Sequence, residues 1–337
     1  MERIRASSPE SVVEQMLAPV AAGAVRASRT EPADRHAVID AALRRLTAKR
    51  YLLDGRPVDP AVADGVRLAL ATCYDRAVPL RLSISIGCFK SPRLATAPHA
   101  DWSEFLHLRY MLSRASELAD VYPFGVELSY VLLDLTTDEI AGVGGPQAAA
   151  YRASFEALVG HLSAGLRPDV TLVSTPLSVL VGRDEYEERM RENLARVCAA
   201  WRDLPAERIS AEMDKSRRAH LHVNGAGDAT VEHAARLHMA LLRTLPELAY
   251  YRDPARVHLL LRKHQGDVQR WLGQKSYRNS IVQFWIGSGC VASIANRGCT
   301  ATILSPNQLA ARRLIASIDG FPPPARNPNL CAVPVYA

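Results

Sequence analysis

The clearest change of pattern along the chain falls at Leu80. Before it, apolar positions recur at three- and four-residue spacing over Pro9 to about Val25, Arg35 to Lys49, and Asp59 to about Arg76. That spacing predicts three amphipathic helices. Ser7 and Ser8 can cap the first, and Asp59-Pro60 opens the third with a cap residue and a proline at the first helical position. No strand pattern appears in this region. From Leu80 the period becomes two: Leu80, Leu82, Ile84 and Ile86 alternate with Arg81, Ser83 and Ser85, as in a strand buried mainly on one face. A helix from Asp101 to about Val121 follows and stops at Tyr122-Pro123-Phe124-Gly125. Val126 to Leu133 is a dense apolar run, predicted as a central strand ending at Asp134. Gln147 to Leu162 returns to the helical period, and Pro168 to Ser174 is a third apolar, β-branched run.

Beyond it the pattern predicts helices over Arg183 to Asp203, Ala206 to about Arg218, and His233 to Leu245. Strands are predicted at Val257–Leu261, Ser280–Ile286, Val291–Ala295 and Thr300–Leu304, with a final helix over Asn307–Ile318. Phe321-Pro322-Pro323-Pro324 is stiff and extended. Alternating strands and helices from Leu80 to Ser174 indicate an α/β fold with a mostly parallel sheet and helices on its faces. An antiparallel hairpin turning at Asn296-Arg297-Gly298 lies beside it. Residues 1–76 are then a helical N-terminal cap, 77–320 an α/β catalytic domain, and 321–337 an extended Pro-rich tail.

Composition narrows the class. With 48% hydrophobic and 23% charged residues in 337, the chain has the make-up of an ordinary globular protein. The longest apolar stretch, Val170 to Val181, is interrupted by Ser174, Thr175, Pro176 and Ser178, too short and polar to cross a bilayer. No apolar leader follows Met1, so a cytoplasmic location is expected. The six cysteines form no Cys-x-x-Cys pair, which argues against a Cys₄ zinc site. A net charge of +6 favours anionic partners, either phosphorylated metabolites or RNA.

In open α/β sheets, ligands sit outside the carboxyl ends of the strands. That rule selects three places. The loop after Ile86 offers Lys90, Ser91 and Arg93 as donors to an anionic group, and a solvated surface loop is the alternative. Arg262, Lys263 and His264 follow the strand Val257–Leu261, with Arg270, Lys275 and Arg278 beyond. They can clamp a phosphate or carboxylate, with His264 moving a proton, or they are a basic surface run. Asp134, with Asp138 and Glu139 beyond it, is either a general base or the cap of the next turn. His220, His222, His233 and His238 lack a spacing that shares one ion, so no metal is assigned. Gly225-Ala226-Gly227 only begins a dinucleotide fingerprint, and Gly142-Val143-Gly144-Gly145 and Gly287-Ser288-Gly289 read as turns. No cofactor is expected.

Taken in order, Phe89-Lys90-Ser91-Pro92, Asp101-Trp102-Ser103-Glu104, Tyr122-Pro123-Phe124-Gly125, Asp134 and Glu139-Ile140-Ala141-Gly142-Val143 resemble motifs of a known family. It is the isocyanide (isonitrile) synthases related to pyoverdine and dityrosine biosynthesis proteins. Two positions depart from the family pattern: Leu135 follows Asp134 where a glycine is usual, and Ala100 precedes Asp101 where a proline is usual. The resemblance implies a Rossmann-like fold without a nucleotide cofactor. It also implies joining an amino acid's amine to ribulose 5-phosphate, whose carbon becomes the isocyanide carbon. Lys90, Arg262 and Lys263 would then bind phosphate or carboxylate, while Asp134, Glu139 or His264 would shuttle protons. Two other readings remain at this level: an enzyme using aminoacyl-tRNA, motivated by the basic stretch Arg252 to Arg278, and a non-catalytic binding protein using residues 1–75.

Overall fold

The computed structural model describes residues 4–18, 34–52, 57–91, 93–135, 140, 142–219, 227–260, 271–273, 288–294, 298–319 and 327–337. Helices are α1 (Pro9–Leu17), α2 (Arg35–Leu46), α3 (Pro60–Asp75), α4 (Trp102–Ala119), α5 (Gly145–Ser163), α6 (Leu177–Leu180), α7 (Arg183–Trp201), α8 (Ala206–Ala219), α9 (Asp228–Thr244), α10 (Ala249–Arg252) and α11 (Pro306–Ala310). Strands are β1 (Arg5–Ala6), β2 (Leu80–Gly87), β3 (Val126–Leu133), β4 (Val170–Pro176), β5 (Arg256–Leu260), β6 (Trp271–Gly273), β7 (Ser288–Ile294), β8 (Gly298–Leu304), β9 (Leu314–Asp319) and β10 (Ala332–Tyr336).

The first sheet has the order β4-β3-β2-β5-β6, and each neighbouring pair is parallel. This is the α/β architecture the pattern predicts. Strand order runs outward from β2 through β3 to β4, then reverses to β5 and β6 on the other side. The reversal puts the topological switch point at the carboxyl ends of β2 and β5, the usual location of a ligand crevice in such sheets. Alternation in β2 sorts its side chains as predicted: Leu80, Leu82, Ile84 and Ile86 are buried in the main core. The opposite face is polar but also covered. Ser83 Oγ lies 3.1 Å from the Tyr250 hydroxyl and Ser85 Oγ 2.7 Å from that of Tyr251, tying the sheet to α10.

The second sheet has the order β1-β8-β7-β10-β9. Its centre is the antiparallel hairpin β7–β8, with Gly298 in the left-handed region at φ 74°. β10 joins β7 in parallel and β9 antiparallel, and β1 closes the other edge against β8. Four expectations change here. The region before Leu80 supplies a short strand, β1, besides its helices. The final helix predicted over Asn307–Ile318 ends at Ala310, and Leu314–Asp319 is a strand. Gly289 lies within β7 rather than in a turn. The last residues, read as an extended tail, are extended as β10, which lies inside the sheet with Val333 and Val335 fully buried. One apolar core runs from Ile4 through α1–α5 and both sheets to Val335, and a second unites α7, α9 and α10 against Val131 of β3.

The predicted strand Ser280–Ile286, Glu139, Arg262, Lys263, His264, Arg278, His220 and His222 lie outside the described residues.

Candidate active site at the start of α4

The loop leaving β2 turns back and delivers Lys90 to the first turn of α4. Asp101 is the N-cap of that helix, its side chain accepting from the Ser103 amide at 2.7 Å, and Glu104 returns the bond to the Asp101 amide at 2.8 Å. This reciprocal capping box satisfies two of the helix's free N–H groups. It also turns both carboxylates toward the same point. Lys90 Nζ occupies that point, 2.8 Å from Asp101 Oδ1, 2.6 Å from Glu104 Oε2 and 2.8 Å from Ser103 Oγ. The three charged side chains are 0%, 1% and 0% exposed, so the cluster is fully withdrawn from water.

One cation between two carboxylates leaves an unbalanced negative charge, and burial decides where it rests. Burial pushes Asp101 up, but the Lys90 charge and its hydrogen bond, with the Ser103 amide, outweigh that and hold the carboxyl below its ordinary range. Glu104 responds in the opposite direction. Desolvation, reinforced by the neighbouring Asp101 charge, overcomes the pull of Lys90 and raises it to about 7. Oε2 of Glu104 already accepts from Lys90, Ser103 Oγ and the Asp101 amide. A proton on Glu104 therefore belongs on Oε1, which faces the Tyr151 hydroxyl at 3.3 Å. Tyr151 is itself fully buried, its ring stacked on Phe155, and burial holds its hydroxyl protonated. The remaining carboxylate atom, Asp101 Oδ2, is buried with no hydrogen-bond partner among the described residues.

Second-sheet elements support this turn from behind. The Gly289 amide lies 3.5 Å from Asp101 Oδ1, and a side chain at Gly289 would run into the backbone of Trp102 and Ser103. Trp102 Nε1 donates to the Ala332 carbonyl at 2.7 Å, and Asn327 Nδ2 donates to that of Ala100 at 2.8 Å.

Of the other residues singled out in the sequence, Ser91 is buried beside Lys90 and Arg93 is exposed, its Nη2 donating to Asn307 at 3.1 Å. Asp134, at the carboxyl end of the neighbouring strand β3, accepts from the Ser178 amide at 3.0 Å and the Ser178 hydroxyl at 2.5 Å. Arg152 lies 3.8 Å away. Asp134 thus ties the end of β3 to α6 rather than to the turn that follows it in sequence. Lys90 and Asp134 follow adjacent parallel strands and have different hydrogen-bond partners. Sequence reasoning missed Asp101, Glu104 and Tyr151 as site residues. The Asp101-x-x-Glu104 spacing was visible as a helix start, yet nothing local tells that its carboxylates receive a lysine.

No protein-family model and no curated protein matches the chain. Solved structures do. The crystal structure of the PvcA protein from Pseudomonas aeruginosa covers 83% of this chain and 96% of its own, with a TM-score of 0.55 and 13% identity. The chain shares the fold of PvcA. A tyrosyl-tRNA synthetase complexed with L-tyrosine from Pyrococcus horikoshii covers 60% of this chain and 47% of its own, at 12% identity and a TM-score of 0.30. That score is too low for a shared fold. The PvcA likeness covers most of the chain rather than one α/β unit.

Proposed function

We propose that the protein is a biosynthetic enzyme acting on the amine of an amino acid, forming an isocyanide with ribulose 5-phosphate as the carbon source. The observation carrying this reading is the buried Lys90–Asp101–Glu104 cluster at the carboxyl end of β2, beside the switch point of the sheet. A buried cluster with two carboxylates for one cation is a poor stabilising device. A carboxyl raised to about 7 is well suited to give and take protons near neutrality, as condensation and carbon–carbon cleavage require. The order of motifs from Phe89 to Tyr151 and the PvcA fold support the same reading.

Within this proposal Glu104 carries the proton and Tyr151 is its outlet. Lys90, enclosed by carboxylates, is a positioning residue that fixes how the two share charge. Ser91 and Arg93, with Arg262, Lys263 and Arg278, supply donors for phosphate and carboxylate, and Asp134, Glu139 and His264 remain the further proton carriers.

Incubating purified protein with each proteinogenic amino acid and ribulose 5-phosphate, trapping isocyanide and analysing by mass spectrometry tests the reaction. Product from one amino acid is expected, and none from any of them overturns it. Glu104→Gln keeps the shape of the cluster and should reduce turnover by about 100-fold or more. An active Glu104→Gln enzyme would instead assign the cluster to structure.

A further inference from the structure

β9 is an edge strand in an unusual state. Among the described residues it pairs only with β10, and along its length Leu314, Ile315, Ala316, Ser317 and Asp319 are exposed. Leu314 and Ile315 are 55% and 45% exposed, on opposite faces of the strand. An apolar edge with open backbone groups is a template for another strand, and monomers usually blunt it with charges or prolines along the edge. Here the charges stand at the two ends instead. Arg312 and Arg313 precede the strand and Asp319 ends it, and among the described residues none of the three has an ion-pair partner.

We propose that β9 pairs antiparallel with β9 of a second copy of this chain, joining the two mixed sheets across a two-fold axis. The placement of charge selects this occupant. An antiparallel partner running Arg-to-Asp against itself brings the positive end of one strand to the negative end of the other, twice by symmetry. In the register centred on Ala316, Arg313 lies opposite the partner's Asp319, Leu314 opposite the partner's Ile318, and Ile315 opposite the partner's Ser317. A strand of unrelated sequence would meet the apolar positions equally well but has no reason to match both ends. Six residues make a small interface, so the dimer is expected to dissociate on dilution. In the second sheet β10 separates β9 from β7, the strand that approaches the Lys90 cluster.

The test is the mass of the full chain by light scattering from about 1 to about 100 µM, the range in which small interfaces dissociate. Mass rising from 36.9 kDa toward twice that value is expected, and a monomer throughout overturns the proposal. Leu314→Lys combined with Ile315→Lys alters only exposed side chains and should yield a monomer with an unchanged melting temperature; a persistent dimer places the interface elsewhere. Arg313→Asp and Asp319→Arg should each weaken association several-fold, and the double reversal should restore it. Failure of the double variant to recover overturns the antiparallel register.

Discussion

Lys90 holds one positive charge between two buried carboxylates, so its removal exposes an asymmetry that the wild type conceals. Breaking a buried ion cluster at one member typically costs about 3–5 kcal/mol, because the remaining charges stay uncompensated. Lys90→Met is therefore expected to lower the thermal midpoint clearly at pH 7, measured by circular dichroism, and to lower it less at pH 5, where Glu104 is protonated. Equal loss at both pH values would show that packing rather than charge is responsible. Glu104 gives a second, separate signature. Its folded pKa of about 7 lies above the ordinary carboxyl value, so the folded state binds the proton more tightly than the unfolded chain. That contribution is complete below about pH 4.5, shrinks as pH rises, and is lost once pH passes about 7. Its full size is on the order of 3 kcal/mol from the shift alone. Asp101, held low, works in the other direction and loses its contribution only in stronger acid. Glu104→Gln should therefore flatten the fall in stability between pH 5 and 7 in urea titrations. The sequence made Lys90 and the Asp101–Glu104 pair visible separately. What it hid was their meeting, which depends on how Gly87–Ala100 is held: Ser154 Oγ accepts from the Ala100 amide, and Asn327 and Asn329 bind carbonyls of Ala100 and Thr96. Those partners come from 54 to 233 positions away, and no local pattern encodes them.

At the scale of elements, the decisive contact is β7 against the first turn of α4. Gly289 permits it, since any Cβ there would enter the Trp102–Ser103 backbone. Backbone cannot step aside as a side-chain tip can, so Gly289→Ala is expected to destabilise by at least about 1–3 kcal/mol, the range for overpacking. It should also disturb the charge cluster, because the Gly289 amide sits near Asp101. A variant with wild-type unfolding midpoint in urea would mean that the two elements separate freely. Asp134 offers a comparison of the opposite kind. Its bonds to Ser178 resemble a helix cap, and Asp134→Ala should lower stability by about 0.5–2 kcal/mol. If turnover falls far more than this predicts, a proton-transfer role is added to the cap. β2 was legible because it buries a face that its own alternation defines, and β3 because its apolar run is buried almost throughout. The stretch after Ser305 was not. Ser305 and Gln308 form a true capping box and start a helix, but Leu314-Ile315-Ala316-Ser317-Ile318 then finds a partner in β10. Tertiary pairing overrode the helical start, as it does where propensity is weak.

At the scale of the whole molecule, the two ends of the chain meet in one sheet. β1 lies at one edge and β10 lies between β7 and β9, so the C-terminal strand is an internal member rather than an appendage. Its proline-rich approach made the end look separable in sequence, since the buried valines of β10 alternate over only five residues. Ending the chain at Cys331 would remove Val333 and Val335, each fully buried and worth roughly 1.5–3 kcal/mol. It would also remove the strand that β9 pairs with and the Ala332 carbonyl that holds the Trp102 indole. Together these approach the total stability of an ordinary domain, about 5–15 kcal/mol. The truncated protein is expected to lose cooperative thermal unfolding and to show a changed tryptophan emission, because Trp102 stands between β10 and the Lys90 cluster. Retention of a sharp transition with unaltered emission would mean that the parallel sheet and α4 fold without β10. With the transition lost, both sheets form one cooperative unit, and the strand farthest along the chain helps hold the candidate site together.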